Sequence, residues 1–163
     1  MLFLVFELGN NRYALDVRQI AEVLPLVEVK QMSQAPPAVA GLFTYRGALV
    51  PVIDLSRLTL GRPAAQRLST RIVLVHYPDQ HGRTHLLGLI AERATQAARH
   101  EASDFVASGV ANPDAAYLGP VTTDARGLLH RIDVRTLLPP SIGALLFKEP
   151  VDDQWGLSSS KIS

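Results

Sequence analysis

The stretch from residue 40 to residue 58, AGLFTYRGALVPVIDLSRL, constrains the fold of this chain more than any other. Two runs of strand-forming residues flank Arg46 and Gly47, which predicts a β-hairpin with a tight turn. The second run is apolar at successive positions, so neither face of that strand can lie comfortably in water. Pro51 cannot donate a backbone hydrogen bond, which favours a position at a sheet edge or beside a bulge. An apolar sheet edge is also a surface on which another polypeptide can dock.

Asp54 ends the second strand, where its carboxylate can accept hydrogen bonds from the amides of Ser56 and Arg57. This placement predicts an N-cap for a short helix that carries Leu55 and Leu58. A phosphoacceptor aspartate is the alternative interpretation. That role requires a pair of acids near the first strand to hold a magnesium ion, and the first strand ends without such a pair. We therefore interpret Asp54 as a structural cap.

The bulk composition limits the possible partners. A chain of 163 residues permits one domain or two small lobes that share a core. It has no cysteine, which excludes disulfides and thiolate metal sites and fits a reducing compartment. The net charge of +1, with arginines spread along the chain, argues against a nucleic-acid partner.

The amino terminus, MLFLVFELGNN, is apolar but does not have the pattern of an export signal. It lacks a positively charged start, Glu7 interrupts the apolar run, and a turn follows at once, so we interpret it as a first strand. No later segment approaches the roughly 20 apolar residues of a membrane span. These observations predict a soluble cytoplasmic protein that does not insert into a membrane.

The remaining patterns predict further hairpins. Residues 3–8 and 13–17 are predicted to form the first of them, and residues 71–77 and 85–91 another. In each case two runs of β-branched and aliphatic residues are separated by a short segment of turn residues. Residues 94–114 are rich in alanine and polar side chains, which predicts an irregular segment with a little helix.

A weak internal repeat links the two halves of the chain. The stretch YLGPVTTDARGLLHRID repeats the order of strand, turn, strand and capping aspartate, with Asp133 in the place of Asp54. Gly127 matches the turn glycine Gly47, one residue out of register. The repeat predicts two related β-lobes, each too small to be stable alone and therefore packed on the other.

The carboxyl end predicts a C-terminal extension, residues 141–163, that is partly mobile, because it follows two prolines and ends in polar residues. An acidic and aromatic recognition motif at Asp152, Asp153 and Trp155 is the alternative to an unstructured end.

No catalytic constellation is found in the sequence. The chain has no Gly-rich phosphate loop, no GxSxG nucleophile turn and no HExxH metal motif. His81 and His85 are four residues apart, but they lie at a predicted hairpin tip, where this spacing does not converge on a metal. His130 precedes Asp133 in an apolar strand, so a partly buried histidine is expected there. We predict no catalytic residue, no metal and no cofactor.

A possible ion pair remains. Glu22 lies in the apolar run IAEVLP, and Arg46 lies in the turn of the central hairpin. If the two meet in a desolvated place, removing one would cost about 3 to 5 kcal/mol. If they meet in water, the cost would be about 0 to 1 kcal/mol. Two unrelated surface charges are the alternative.

The order of these motifs resembles the CheW-like family, the adaptor domains of bacterial chemotaxis and related sensory arrays. The resemblance covers nearly the whole chain, and the RGxxxPVIDL element is its most specific part. The matching positions are Phe6, Leu8, Tyr13, Ala14, residues 20–24, Pro36, Pro37, Gly41, Arg46, Gly47, residues 51–55, 72–75, 87–89 and 117–119, Leu129 and residues 132–137. Thr44 and Tyr45 depart from the family, which usually has an asparagine and an aliphatic residue before the Arg-Gly pair.

The resemblance implies an all-β fold of two SH3-like five-stranded β-barrel lobes with short helices, in a domain of residues 1–140. It further implies a non-enzymatic adaptor that couples the cytoplasmic tip of a chemoreceptor to the regulatory domain of a CheA-type histidine kinase. In this family the barrel ends pair with the kinase domain through strand edges, and the groove between the lobes accepts the helical hairpin of the receptor.

Carried over by position, the resemblance places the Arg46 and Glu22 pair near the receptor-facing surface and the apolar strand edge at residues 50–52 against a partner. The candidate partner-binding residues are therefore Glu22, Val23, Ala40, Leu42, Arg46, Gly47, Val50, Pro51 and Val52. A dedicated non-flagellar system, for surface sensing, cyclic-di-GMP output or pilus motility, is the alternative setting. An OB-like nucleic-acid-binding barrel is the alternative from a different class of function. Such a barrel requires aromatic side chains along a basic groove, and this sequence has few aromatic residues and no cluster of arginines beside them.

Overall fold

The computed structural model of the chain describes residues 1–107 and 118–147. Within these residues the chain forms nine strands: β1 (Leu2–Leu8), β2 (Asn11–Asp16), β3 (Ile20–Pro25), β4 (Val39–Tyr45), β5 (Ala48–Asp54), β6 (Arg71–Pro78), β7 (Thr84–Arg99), β8 (Leu118–Asp124) and β9 (Gly127–Ile132). The helical elements of this part are short: α1 (Leu55–Leu60), α2 (Pro140–Leu146) and the 3-10 turns Val17–Gln19, Ala102–Asp104 and Val134–Thr136. The predicted all-β fold with short helices is confirmed.

The strands form two five-stranded lobes that share the long strand β7. The central lobe has the strand order β3-β6-β7-β5-β4, and the terminal lobe has the order β7-β1-β2-β9-β8. Residues 84–91 of β7 pair with β6, whereas residues 92–99 pair with β1. The chain therefore passes from one lobe to the other in the middle of a strand.

A backbone bridge closes each lobe into a barrel. In the central lobe Lys30 and Leu42 exchange two N–H···O bonds of 2.8 Å, and in the terminal lobe Val106 and Val121 do the same at 2.8 Å. In the central lobe the bridge joins the segment after β3 to β4, and in the terminal lobe it joins the segment after β7 to β8. In both lobes the second partner is the first strand of a hairpin. The two lobes share one plan, so the internal repeat predicted from the sequence is confirmed.

Apolar side chains form one core inside each lobe and a third core between the lobes. The central-lobe core is built from Phe43, Val50, Val52, Ile72, Leu74 and Ile90. The terminal-lobe core is built from Phe3, Val5, Ala14, Phe105 and Leu129. The shared core is the largest and draws on both lobes; it includes Phe6, Leu8, Tyr13, Leu15, Ile53, Val73, Val75, Leu87, Leu89, Ile132, Leu137 and Ile142. The lobes are thus packed on one another, as predicted.

Strand β5 is apolar at successive positions because both of its faces are internal. Val50 and Val52 lie in the central-lobe core, and Ile53 lies in the shared core. The exposed apolar edge expected at Val50, Pro51 and Val52 is therefore wrong as a side-chain surface: Val50 and Val52 are 1% and 0% exposed, and Pro51 is buried. The two packed cores cover both faces of this strand within the chain itself.

Pro51 is tolerated inside this strand because its position requires no backbone donor. The amide and carbonyl of Leu42, its partner on β4, both bond to Lys30 on the other side. The pairing of β5 with β7 begins only at Val52. The missing N–H of Pro51 consequently costs no ladder hydrogen bond.

The expectation of an irregular segment at residues 94–114 is wrong for its first part. Strand β7 continues to Arg99 and pairs with β1 from Glu92 onward. Alanine and glutamine have low strand propensity, but the ladder to β1 supplies backbone hydrogen bonds that local sequence does not reveal. Residues 108–114 lie outside the described part of the chain.

Helix α2 crosses the predicted domain boundary between residues 140 and 141. Pro140 occupies its first turn, which suits a residue without a backbone donor. Ile142 is buried in the shared core, and the ring of Phe147 stacks on Tyr77 at a centroid distance of 5.1 Å. The start of the predicted extension is therefore packed on the lobes, and residues 148–163, which include Asp152, Asp153 and Trp155, lie outside the described part.

Candidate protein-docking site

A wide groove opens on the central lobe between the β4–β5 hairpin and the segment that follows β3. Its volume is about 1050 Å³. We call it the hairpin groove; its walls include Leu24, Val27, Met32, Leu42, Tyr45, Arg46 and Leu49. Leu49 is 69% exposed and Val27 is 42% exposed, so the groove presents apolar surface to solvent. A groove of this size and character can receive the apolar side chains of a partner helix.

The tip of the hairpin is built as the sequence predicts. Arg46 and Gly47 both have positive φ angles, +50° and +81°, as a two-residue turn with right-twisted strands requires. The penalty for a left-handed backbone is small at glycine and larger at arginine. The turn places the guanidinium of Arg46 over the ring of Tyr45, with 5.1 Å between its central carbon and the ring centroid.

The predicted contact between Glu22 and Arg46 is present, and it is exposed. Arg46 Nη2 lies 3.4 Å from Glu22 Oε1, and the two side chains are 77% and 37% exposed. A pair in this setting contributes about 0 to 1 kcal/mol to the free energy of unfolding. The hydroxyl of Tyr45 donates a short hydrogen bond to the same carboxylate oxygen. Glu22, Tyr45 and Arg46 therefore form one polar cluster at the rim of the groove.

The bond to Glu22 changes the acidity of Tyr45. The pKa of the Tyr45 phenol is raised above its ordinary value, first because its hydrogen bond to Glu22 favours the protonated form. We expect that Glu22→Gln lowers the pH at which one tyrosine of the chain ionises, as followed by the ultraviolet absorbance of the phenolate. Tyr45→Phe should remove that transition. Glu28→Gln, an exposed acid of the same groove, serves as the control. Identical titration curves for wild type and Glu22→Gln would contradict the hydrogen bond.

The structure brings together only some of the residues that the sequence predicted for the site. Leu42 and Arg46 line the hairpin groove, Gly47 forms its tip, and Glu22 reaches its rim through Tyr45. Val23 is 38% exposed on β3.

Four other predicted residues do not face the groove. Val50, Pro51 and Val52 are buried within β5, the second strand of the hairpin, and Val50 and Val52 pack in the central-lobe core. Ala40 lines a neighbouring cleft of about 600 Å³ beyond the segment that follows β3.

Sequence reasoning missed most of the groove lining, including Tyr45, Leu49 and Val27. Tyr45 was noted only as a departure from the family, although an aromatic residue beside the turn arginine is a usable signal. Leu49 looks like one more core residue of an apolar strand, and nothing in its local pattern shows that it lies before the buried part. Val27 lies after β3 in a segment whose direction is set by the bridge at Lys30.

The two predicted caps are confirmed. The Asp54 carboxylate accepts hydrogen bonds from Ser56 N at 3.0 Å and Arg57 N at 3.3 Å, and its second oxygen accepts one from Ala64 N at 3.0 Å. Asp133 accepts a hydrogen bond from Arg135 N at 2.9 Å. The side chain of Arg135 also bonds to Asp133, which lowers the pKa of that carboxyl below its usual range.

Titratable side chains elsewhere act in pairs. His85 lies 2.7 Å from Asp79, and His130 is partly buried beside the ring of Tyr13, as expected for a histidine in an apolar strand.

In residues 1–107 and 118–147 no group of three or more acidic or histidine side chains could hold a metal ion. No helix of that part is long and apolar enough to cross a membrane.

Comparisons with known proteins agree with the resemblance seen in the sequence. The solved structure of the scaffolding protein TtCheW from Thermoanaerobacter tengcongensis has the same fold, with a TM-score of 0.74 over 86% of this chain and 89% of that chain, at 21% identity. The chemotaxis protein CheW of Helicobacter pylori is 31% identical over 63% of this chain and 59% of its own length. The chemotaxis protein CheW of Klebsiella aerogenes is 26% identical over 56% and 58%. The chain thus matches less than two thirds of either relative. A model of the CheW-like domain matches residues 2–140, and the chain belongs to the CheW-like domain family.

Proposed function

We propose that this chain is a non-enzymatic adaptor that couples a chemoreceptor to a CheA-type histidine kinase in a chemotaxis or chemosensory array. Membership of the CheW-like family supports a scaffold role, and two relatives carry the name of chemotaxis proteins. The observation that carries the proposal is the hairpin groove, which combines exposed apolar side chains with a charged rim. Such a surface holds a partner by packing and fixes its orientation by charge.

The receptor tip is proposed to bind along the rim formed by Glu22, Tyr45 and Arg46 and to continue past Gly47 and the edge of β3 to Val23, which lies outside the hairpin groove. Arg46 is 77% exposed and its guanidinium has several donors left after the contact with Glu22. A carboxylate or carbonyl of a helical receptor hairpin can accept from these donors while its apolar residues cover Val23 and Leu42.

The kinase regulatory domain is proposed to bind the end of the central lobe beside Leu49 and Val27. In this proposal both partners use the hairpin groove, the receptor tip at its charged rim and the kinase domain at Leu49 and Val27, so that the function of the adaptor is to position the two side by side. Val50, Pro51 and Val52 act in this proposal from the inside, because their packing fixes the hairpin that carries Leu49 and Arg46.

We expect Arg46→Ala to weaken binding of a purified receptor cytoplasmic tip by roughly 5- to 30-fold, the effect of losing about 1 to 2 kcal/mol at an interface arginine. The circular dichroism spectrum should not change, and the free energy of unfolding should fall by no more than about 1 kcal/mol, because the pair with Glu22 is exposed. The measurement is a titration calorimetry or pull-down comparison at one fixed salt concentration.

Arg83→Ala is the matched control, since Arg83 is an exposed arginine near the turn between β6 and β7 and lies outside the hairpin groove. Receptor binding that is equal in wild type and Arg46→Ala would reject the assignment. The same assay with receptor tips from a flagellar and a non-flagellar system identifies the setting in which the adaptor acts. The family match does not favour a nucleic-acid-binding barrel.

A further inference from the structure

A third, smaller cleft lies on the junction of the two lobes, where β7 passes from one to the other. Its volume is about 210 Å³. Glu7 and Gly9 of the terminal lobe form one side, and Arg62 and Arg67 of the loop between α1 and β6 form the other. Arg93 of β7 completes the walls. We call this the junction cleft; it is separate from the hairpin groove and shares no lining residue with it.

Two arginines of the cleft have unused donors. Among the residues that the structure describes, the side chains of Arg62 and Arg67 make no hydrogen bond or ion pair. The loop that carries them is held in place by its backbone, because Arg67 N donates to Thr70 Oγ1 at 3.4 Å and Thr70 N donates to the Arg67 carbonyl at 3.0 Å. A methyl group added at Gly9 would lie 3.9 Å from Arg62 Nη2, so this guanidinium lies close to the turn of the other lobe.

The two acids of the cleft have partners other than Arg62 and Arg67. The Glu92 carboxylate accepts hydrogen bonds from Ala65 N at 3.0 Å and from the Ser56 hydroxyl at 2.9 Å, so both of its oxygens serve the fold. Glu7 faces Arg93 at 4.0 Å, a long contact between half-exposed groups. Neither acid pairs with Arg62 or Arg67, and the cleft carries an excess of positive charge.

The backbone at Arg93, in the wall of the cleft, has an unusual conformation. Arg93 is a non-glycine residue with a φ of +51°, in the left-handed region. It lies at the bend where the ladder between β1 and β7 changes register. Left-handed residues other than glycine are uncommon and often mark functional sites. Here the bend places Arg93 in the lining of the same cleft as Arg62 and Arg67.

We propose that the junction cleft binds the phosphoryl group of a small anionic ligand. One planar guanidinium group can donate hydrogen bonds to two oxygens of a phosphate. Three guanidinium groups, those of Arg62, Arg67 and Arg93, line this cleft together with Ser69. The volume is below that of pockets for drug-sized ligands, about 300 to 1000 Å³, and above that of a few water molecules. It therefore suits phosphate, diphosphate or a simple phosphomonoester. A ligand held from both sides joins the two lobes and stabilises the folded chain.

The test is thermal unfolding of the full chain with increasing inorganic phosphate, diphosphate or glycerol phosphate, each at constant ionic strength set with sodium chloride. We expect a saturable rise of Tm, because a ligand that binds only the folded state stabilises it by mass action. Arg67→Gln and Arg62→Gln should each raise the half-saturating concentration by roughly tenfold or more, the effect of losing a charge-assisted hydrogen bond. A stronger effect of glycerol phosphate than of phosphate identifies a phosphomonoester as the ligand class, and the reverse identifies free phosphate.

Arg83→Gln is the control, because it removes the same charge from an exposed position outside the cleft. A Tm that rises equally with chloride and with the phosphates would overturn the proposal. An unchanged half-saturating concentration in both cleft variants would do so as well. Binding of the receptor tip does not enter this test, so its outcome is independent of the adaptor function.

Discussion

Asp124→Asn is expected to lower the free energy of unfolding by about 2 to 4 kcal/mol, a large loss for a small β protein. Arg12 is 9% exposed, and two of its nitrogens donate to the two oxygens of Asp124, each at 2.7 Å. Its third nitrogen, Nε, is buried without a hydrogen-bond partner in the described part of the chain. Neutralising Asp124 therefore leaves a nearly buried guanidinium without its counter-charge. Urea unfolding at neutral pH measures the effect.

The same pair predicts how stability depends on pH. The pKa of Asp124 is lowered to about 2, first by the hydrogen bonds from Arg12. Because the folded carboxyl has a lower pKa than the unfolded one, near 4, its contribution is complete above about pH 4 and is lost as the pH falls toward 2. Wild type should lose this stability over that window, and Asp124→Asn should lack this part of the pH dependence. Asp79, whose pKa is also lowered to about 2 by His85, titrates in both proteins and provides an internal reference.

The control for this prediction is a double variant, Arg12→Met with Asp124→Leu. It removes both charges and leaves no unpaired charged group, and replacement of a buried pair by apolar residues is commonly neutral. We expect it to be more stable than Asp124→Asn alone. A single variant within about 0.5 kcal/mol of wild type would show that the pair is solvated.

The two hairpins of the internal repeat use the position before the turn differently. When Asp54 is superposed on Asp133 in the sequence, Tyr45 takes the place of Asp124, and both end the first strand of their hairpin. Asp124 binds Arg12 of β2 and ties its hairpin to the terminal lobe. Tyr45 binds Glu22 at the rim of an open groove. In one copy of the repeat this position therefore ties the hairpin to the core of its lobe, and in the other it belongs to the polar cluster at the rim of the hairpin groove.

Local signals were sufficient for the elements of the central hairpin. The Arg-Gly pair specifies a two-residue turn, and Asp54 and Asp133 precede short helical segments that need caps. These features depend on residues within four positions of one another, so the sequence predicts them correctly. The sequence left open whether Glu22 and Arg46 meet, because both the contact and its exposure depend on how β3 and the β4–β5 hairpin come together.

Non-local contacts explain what the sequence could not predict. A run of apolar residues at positions 50–53 is compatible with an exposed docking edge or with a strand covered on both faces. The structure shows that the strand is covered on both faces, because Val50 and Val52 pack in one core and Ile53 packs in another. In the same way, the second half of β7 is a strand because β1 lies beside it, and α2 is ordered because Ile142 and Phe147 find apolar partners in β6 and β7.

Gly41→Ala is expected to have the second large effect, at the bridge that closes the central lobe. A Cβ atom at this position would lie 2.0 Å from the carbonyl oxygen of Lys30, far inside van der Waals contact, and the φ of +144° is itself unfavourable for a side chain. The main chain at Lys30 must move, which breaks the two 2.8 Å hydrogen bonds to Leu42. Overpacking, backbone strain and two lost hydrogen bonds together predict a loss of roughly 3 to 5 kcal/mol in the free energy of unfolding.

The displaced segment also forms a wall of the hairpin groove, because Lys30, Gln31 and Met32 line it. Folded Gly41→Ala protein, examined well below its Tm, should therefore bind a receptor tip or kinase regulatory domain more weakly than wild type. Gly82→Ala is the control: its φ of +79° is also positive, but a Cβ there has nothing within 4 Å. Gly82→Ala should cost only about 1 to 2 kcal/mol and leave binding unchanged. Equal free energies of unfolding for the two variants would contradict the predicted clash with Lys30. Equal partner binding would show that the Lys30–Leu42 bridge does not determine the shape of the hairpin groove.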